Sequence, residues 1–211
     1  MTNITIDHIA FSVFFVCIIT YAFITVYGFR HPSKSKRGSL NIVYQKWVDE
    51  RIEDSSLVAI QAMRNLIMAN SVFISALLVL LGLLLGFYSV IFSDQVFFLP
   101  TIPIGLVQVT LLTLVIIFCI FNFVLSIRML VRFTLLIGVK PNKINICGHD
   151  GLDFTKNTLL SGQTHWTIGL RGLFYLIIIL AWLIHPLLFS IGSIGVTSYL
   201  IFFEDQFNVL D

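Results

Sequence analysis

Leu57-Val58-Ala59-Ile60-Gln61-Ala62-Met63-Arg64-Asn65-Leu66-Ile67-Met68-Ala69-Asn70-Ser71 is the stretch that decides the architecture. Up to Asn65 it is interrupted by charge and amide; from Leu66 an apolar run continues to Phe92. A helix rises 1.5 Å per residue, so Asn70 falls about 9 Å beyond Arg64. Arg64 and Asn65 therefore mark the level at which a helix enters lipid, with Asn70 inside it.

The rest of the chain repeats this design. It has 211 residues, 57% hydrophobic and 11% charged, and a mean hydropathy of +0.95; a soluble domain is about a quarter charged. Apolar runs occupy 9–29, 66–92, 104–127 and 172–203, each reaching the roughly 20 residues that cross a bilayer. The first lacks the basic start and small-residue cleavage site of a signal peptide and reads as a retained span. The last covers 32 residues. At about 48 Å it exceeds one bilayer core, so it is either one long helix, kinked at Pro186 or loosened near Gly192 and Gly195, or two short spans.

With the N-terminus outside and four alternating spans, the inner segments 30–64 and 128–171 hold all 13 Lys and Arg. The outer segments carry Asp7, Asp94, Glu204, Asp205 and Asp211. Basic residues gather on the cytoplasmic side, so four spans with both termini on the outer side of a plasma (inner) membrane are expected. The expected fold is a single all-α, polytopic membrane domain over 1–211: four transmembrane helices, an inner-surface amphipathic helix at about 40–53 and an inner polar loop at about 140–166. The amphipathic helix rests on Leu40, Val43, Tyr44, Trp47, Val48 and Ile52, which share one side. It lies on the inner surface or packs against the base of the bundle. Asp54-Ser55-Ser56 caps the helix that follows.

Several polar and small residues stand out within the spans. Ser71, Ser75, Gly82 and Gly86 form a stripe that lets another helix approach, within the bundle or from a second copy. Asn122 is six residues from Arg128, as Asn70 is from Arg64. The two amides thus lie at similar depth and are expected to pair across helices, with Asn65 as a further polar group near them. His185, before Pro186, is either a functional intramembrane group or a partner for backbone freed by the proline. The apolar outer turn 93–103 suggests an interfacial or partner-covered segment. Cys147-Gly148-His149-Asp150 offers too few ligands for zinc, and no catalytic motif is present.

Arg64, Arg128 and Arg171 each close an apolar run at the inner face, and Tyr175 follows Arg171 by one turn. Guanidinium groups stay charged and grip phosphate in a fork. The three are expected either to converge on an anionic lipid phosphate or to snorkel separately.

Trp47-Val48, Val58-Ala59-Ile60-Gln61-Ala62-Met63-Arg64-Asn65-Leu66-Ile67-Met68-Ala69, Ser126-Ile127-Arg128, Leu135-Leu136-Ile137-Gly138 with Pro141, Gly169-Leu170-Arg171-Gly172 with Tyr175, and Trp182-Leu183-Ile184-His185-Pro186 together resemble domain-of-unknown-function family 599. The resemblance covers roughly residues 28–203. It implies a four-helix membrane protein and supplies no activity. The functional expectation is a non-catalytic protein: an accessory or scaffold subunit of a membrane complex, or a homo-oligomer, with an arginine layer that binds anionic lipid. A small transporter or lipid-binding protein using the Arg/Asn layer is the alternative. The expected partners are membrane lipids and a membrane protein, with no cofactor, metal or nucleic acid.

Overall fold

The computed structural model describes residues 2–30, 36–53, 56–92, 104–139, 141, 145–146 and 149–204. The described chain is all-α apart from a two-residue ladder, β1 (Asn145–Ile146) against β2 (His149–Asp150). Its helices are α1 (Thr2–Arg30), α2 (Lys36–Glu53), α3 (Ser56–Phe92), α4 (Ile104–Gly138), α5 (Gly151–Ile184) and α6 (Pro186–Tyr199), extended by a π-helical turn, Leu200–Glu204. Four are long and apolar enough to cross a membrane: α1, α3, α4 and α5. The molecule is a polytopic membrane protein. The expected outer turn 93–103 and Cys147 lie outside the described residues.

The spine is α4 against α5. On α4 the buried positions Leu112, Ile116, Cys119, Phe123, Ser126, Leu130, Phe133 and Ile137 recur at alternating spacings of four and three, and none is more than 1% exposed. The facing seam of α5 runs through Thr155, Thr158, Gly162, Gly169, Gly172, Leu176 and Ile179. A repeat of 3.5 residues keeps one seam turned toward a partner and gives coiled-coil packing. Large side chains on α4 meet small ones on α5. A Cβ at Gly169 would lie 2.8 Å from the Phe123 ring, and one at Gly172 would lie 2.5 Å from Cys119 Sγ. Ser126 Oγ donates to the Gly162 carbonyl at 2.9 Å, which requires the same close approach.

Two apolar cores are strung along this spine. The larger one gathers Phe14 of α1, Leu77 of α3, Ile116 and Phe123 of α4, Tyr175 and Trp182 of α5, and Phe189 of α6. The smaller one joins Val48 of α2, Ala59 and Met63 of α3, Leu130, Phe133 and Ile137 of α4, and Leu159 of α5. It explains why α3, α4 and α5, at 37, 35 and 34 residues, are about 20 Å longer than a bilayer core requires. The extra turns build a base beyond the membrane-length part. In α2, the half of the apolar side around Val48 and Trp47 enters this base, whereas Leu40, Ile42 and Val43 stay exposed. Lys156 of α5 and Asp49 of α2 add an ion pair at 2.6 Å.

The expected polar loop at 140–166 is helical from Gly151 onward. Asp150 caps the helix by accepting the Leu152 N–H at 3.1 Å. The 172–203 run is not one helix. Pro186 has no N–H to continue the ladder and disfavours a helical residue before it, so His185 is extended (φ −160°, ψ 133°) and α5 stops. The chain then folds back. Phe189 stacks on Trp182 at 4.4 Å between centroids, and Tyr175 meets Thr197 at 3.4 Å. The α5–α6 hairpin brings Tyr199 back beside Lys36, Leu40 and Tyr44 of α2. Asp7 stays at the hairpin end, accepting the Trp182 Nε1–H at 3.1 Å.

Among the described residues, the small-residue stripe on α3 takes no part in this packing. Ser71, Ser75, Gly82 and Gly86 are exposed, and a Cβ at Gly82 or Gly86 meets nothing within 4 Å. The glycines that matter are those of α5. Gly169→Ala and Gly172→Ala are each expected to cost about 1–3 kcal/mol through overpacking, whereas Gly82→Ala is neutral or stabilising by up to ~1 kcal/mol. Thermal unfolding of the three variants in detergent measures the contrast.

Candidate functional site

A polar cleft breaches the larger core. A cleft of about 430 Å³ opens where the start of α2, the middle of α5 and the end of α6 meet. Its walls are Lys36, Leu40, Asn41 and Tyr44 from α2, Tyr199 from α6, and Gln163, Thr164, Trp166, Thr167, Leu170 and Arg171 from α5. With Asp49 paired to Lys156 and residues 36–44 lining the cleft with 163–171, α2 runs antiparallel to α5. No carboxylate is among these described lining residues.

Arg171 is its most constrained member, at 6% exposure. The Tyr21 ring of α1 lies 5.7 Å from the guanidinium carbon, within the range of a cation–π contact. Tyr21 also packs against Tyr175, with centroids 6.1 Å apart. Arg171 thus reaches the cleft from a ring-lined recess in the larger core. Tyr175 is buried in the same layer, bonded to Thr197.

The three expected arginines are not brought to one site. Arg64 lies on an exposed face of α3 and Arg128 on an exposed face of α4; neither lines the cleft. The reason is the seam register. Arg128 falls outside the buried set Ser126, Leu130, Phe133 of α4, and Arg64 follows buried Met63 by one residue, about 100° around α3. Asn65 is exposed beside Arg64.

The expected amide pair is also replaced. Asn122 is buried, and its Oδ1 is 3.1 Å from His165 Nδ1 on α5; the imidazole N–H donates and the amide oxygen accepts. Its Nδ2 donates to the Phe118 carbonyl. Asn70 turns back to its own helix, donating to the Leu66 carbonyl at 2.9 Å, and its buried Oδ1 has no hydrogen-bond partner among the described residues. Phe73, Phe123 and Trp166 close over this layer as a triad with centroids 5.4–5.7 Å apart. His185 sits at the hairpin tip, exposed, and caps α6 by accepting the Leu187 N–H at Nδ1, 3.1 Å away. It serves backbone freed at Pro186.

Lys36, Asn41, Gln163, His165 and Tyr199 carry no marker as single residues. The signal for their wall was the spacing of Thr155, Thr158, Gly162, Gly169 and Gly172, which places 151–171 on a helix. A double-mutant cycle on Asn122→Ala and His165→Ala should give a coupling of about 0.6 kcal/mol, the usual size of an interhelical hydrogen bond in a bilayer. The same cycle on Asn70 and Asn122 should give none.

The chain matches no curated protein and no solved structure. The family described as "Protein of unknown function, DUF599" matches residues 9–209. With nearly the whole chain covered, from α1 through the α5–α6 hairpin, this protein belongs to the DUF599 family.

Proposed function

We propose that this is a non-catalytic membrane protein whose cleft holds an anionic group at the cytoplasmic interface. The observation that carries the reading is Arg171. It is a cation that stays charged under any physiological condition, held at 6% exposure in a cleft shared with Lys36. Arg171 is 14 residues before His185, about 21 Å along the helix. With the hairpin tip at one face of a core about 30 Å thick, the guanidinium lies about 9 Å inside the other face. An ionisable residue at such depth is a functional-site candidate. The cleft spans from that depth at Arg171 out to Gln163, so it straddles the boundary where lipid phosphates lie. Its polar groups are cations, amides and hydroxyls, with no nucleophile–base pair among the described lining residues.

In this reading the α2 end is cytoplasmic, in line with the gathering of every Lys and Arg between residues 30 and 171. The N-terminal end of α1 faces outward. Helix α6, apolar over Pro186–Phe202, returns inward as a fifth, shorter crossing.

The exposed small residues of α3 favour a companion reading. Ser71, Ser75, Gly82 and Gly86 leave a helix face on which another membrane helix can lie close. An accessory role, or a homo-oligomer, would use it. The Arg/Asn layer as a transport path has less support, since Arg64 and Asn65 face away from the bundle.

Native mass spectrometry of the full chain released from mild detergent tests the anion. A stoichiometric anionic adduct is expected on the wild type and on Arg64→Leu, and its loss is expected on Arg171→Leu. An adduct that survives Arg171→Leu, or no adduct on the wild type, contradicts the proposal.

A further inference from the structure

We infer that the ligand of the cleft is a phospholipid with an uncharged polyhydroxyl headgroup, as in a phosphoglycerol or phosphoinositol lipid. This rests on the anion reading above and narrows it.

The cleft is larger and chemically broader than a phosphate site. Its volume of about 430 Å³ is on the scale of pockets that take whole small molecules; a phosphate alone leaves most of it empty. The charge is concentrated at Lys36 and Arg171, while Asn41, Gln163 and Thr164 extend the lining away from Arg171. Gln163 and Arg171 are eight residues apart, about 12 Å along α5. A phosphodiester oxygen only accepts hydrogen bonds. Carboxamides and hydroxyls both donate and accept, and their natural complement is a group that does the same, a sugar-like or glycerol hydroxyl. Thr167 is committed elsewhere, its Oγ1 donating to the Gln163 carbonyl at 2.9 Å.

A zwitterionic headgroup fits less well. Its ammonium needs a carboxylate or an aromatic face. The described lining residues supply no carboxylate. Tyr44 and Trp166 do offer rings, so a choline lipid is the control that decides.

The full chain is exchanged in mild detergent against phosphatidylglycerol, phosphatidic acid or phosphatidylcholine, and the bound lipid is counted by native mass spectrometry with and without inorganic phosphate as competitor. The wild type should hold phosphatidylglycerol about ten-fold more tightly than phosphatidic acid, the margin of two neutral hydrogen bonds. It should hold little phosphatidylcholine, and inorganic phosphate should not displace the lipid. The double variant Asn41→Ala/Gln163→Ala, at two half-buried positions, should lose the ten-fold margin and keep phosphatidic acid. Equal retention of phosphatidylglycerol and phosphatidic acid, or displacement by inorganic phosphate, overturns the headgroup assignment and leaves the anion reading standing. Retention of phosphatidylcholine at the level of both anionic lipids overturns the two together.

Discussion

The close approach of α4 and α5 is the contact on which the other features depend. It exists because bulky residues on α4 face Gly162, Gly169 and Gly172 on α5. A bilayer offers helices no hydrophobic gain from association, so packing at short range and a few hydrogen bonds must supply it. The seam provides both: rings set against glycines, and the bonds Ser126 to Gly162 and His165 to Asn122. Because it runs unbroken through both cores, α5 is fixed from the base to the hairpin tip. Helices α2 and α6 can then be placed against it from opposite ends of the chain.

The second constraint is the stop at Pro186. Had the helix continued, Tyr199 would stand far beyond the membrane-length part and Arg171 would face lipid on that side. Reversal instead lays Phe189 on Trp182 and Thr197 beside Tyr175, and brings Tyr199 to the mouth of the Arg171 cleft. Stretches of α2, α5 and α6 that lie far apart in sequence thus line one polar cleft in an apolar core. Burying a guanidinium is costly without compensation, and the Tyr21 ring is one of the groups that face it.

Most of the architecture was legible in the sequence, because apolar run length and charge placement are strong signals in a membrane protein. The helices near 9–29, 66–92 and 104–127 and the α2 helix are where those signals put them. The segment 151–171 was obscured because its seam is built from Thr and Gly. Such residues suggest a loop by composition, and only their 3–4 spacing shows a helix. The turn at His185-Pro186 was visible as a kink, but whether a proline bends or reverses a helix depends on the surface waiting for it; here that surface is Trp182, Ile178 and Tyr175. The site was half legible. Arg171 and Tyr175 were identifiable by position, but depth alone could not say which arginines turn inward. The register around Met63 and Ser126 turns Arg64 and Arg128 out, and the partners that replace them come from segments distant in sequence.

The reversal at Pro186 is the feature on which the cleft and the proposed ligand depend, and one distance tests it. Ile177 and Ile194 are both exposed and lie level with each other across the hairpin, between the Trp182–Phe189 and Tyr175–Thr197 contacts. Spin labels at these two positions, in a cysteine-free background reconstituted in bilayers, report their separation by pulsed electron resonance. A folded hairpin predicts helix axes about 10 Å apart, extended only by the label arms. A single continuous helix places the two positions about 25 Å apart along its axis, and that result would contradict the account.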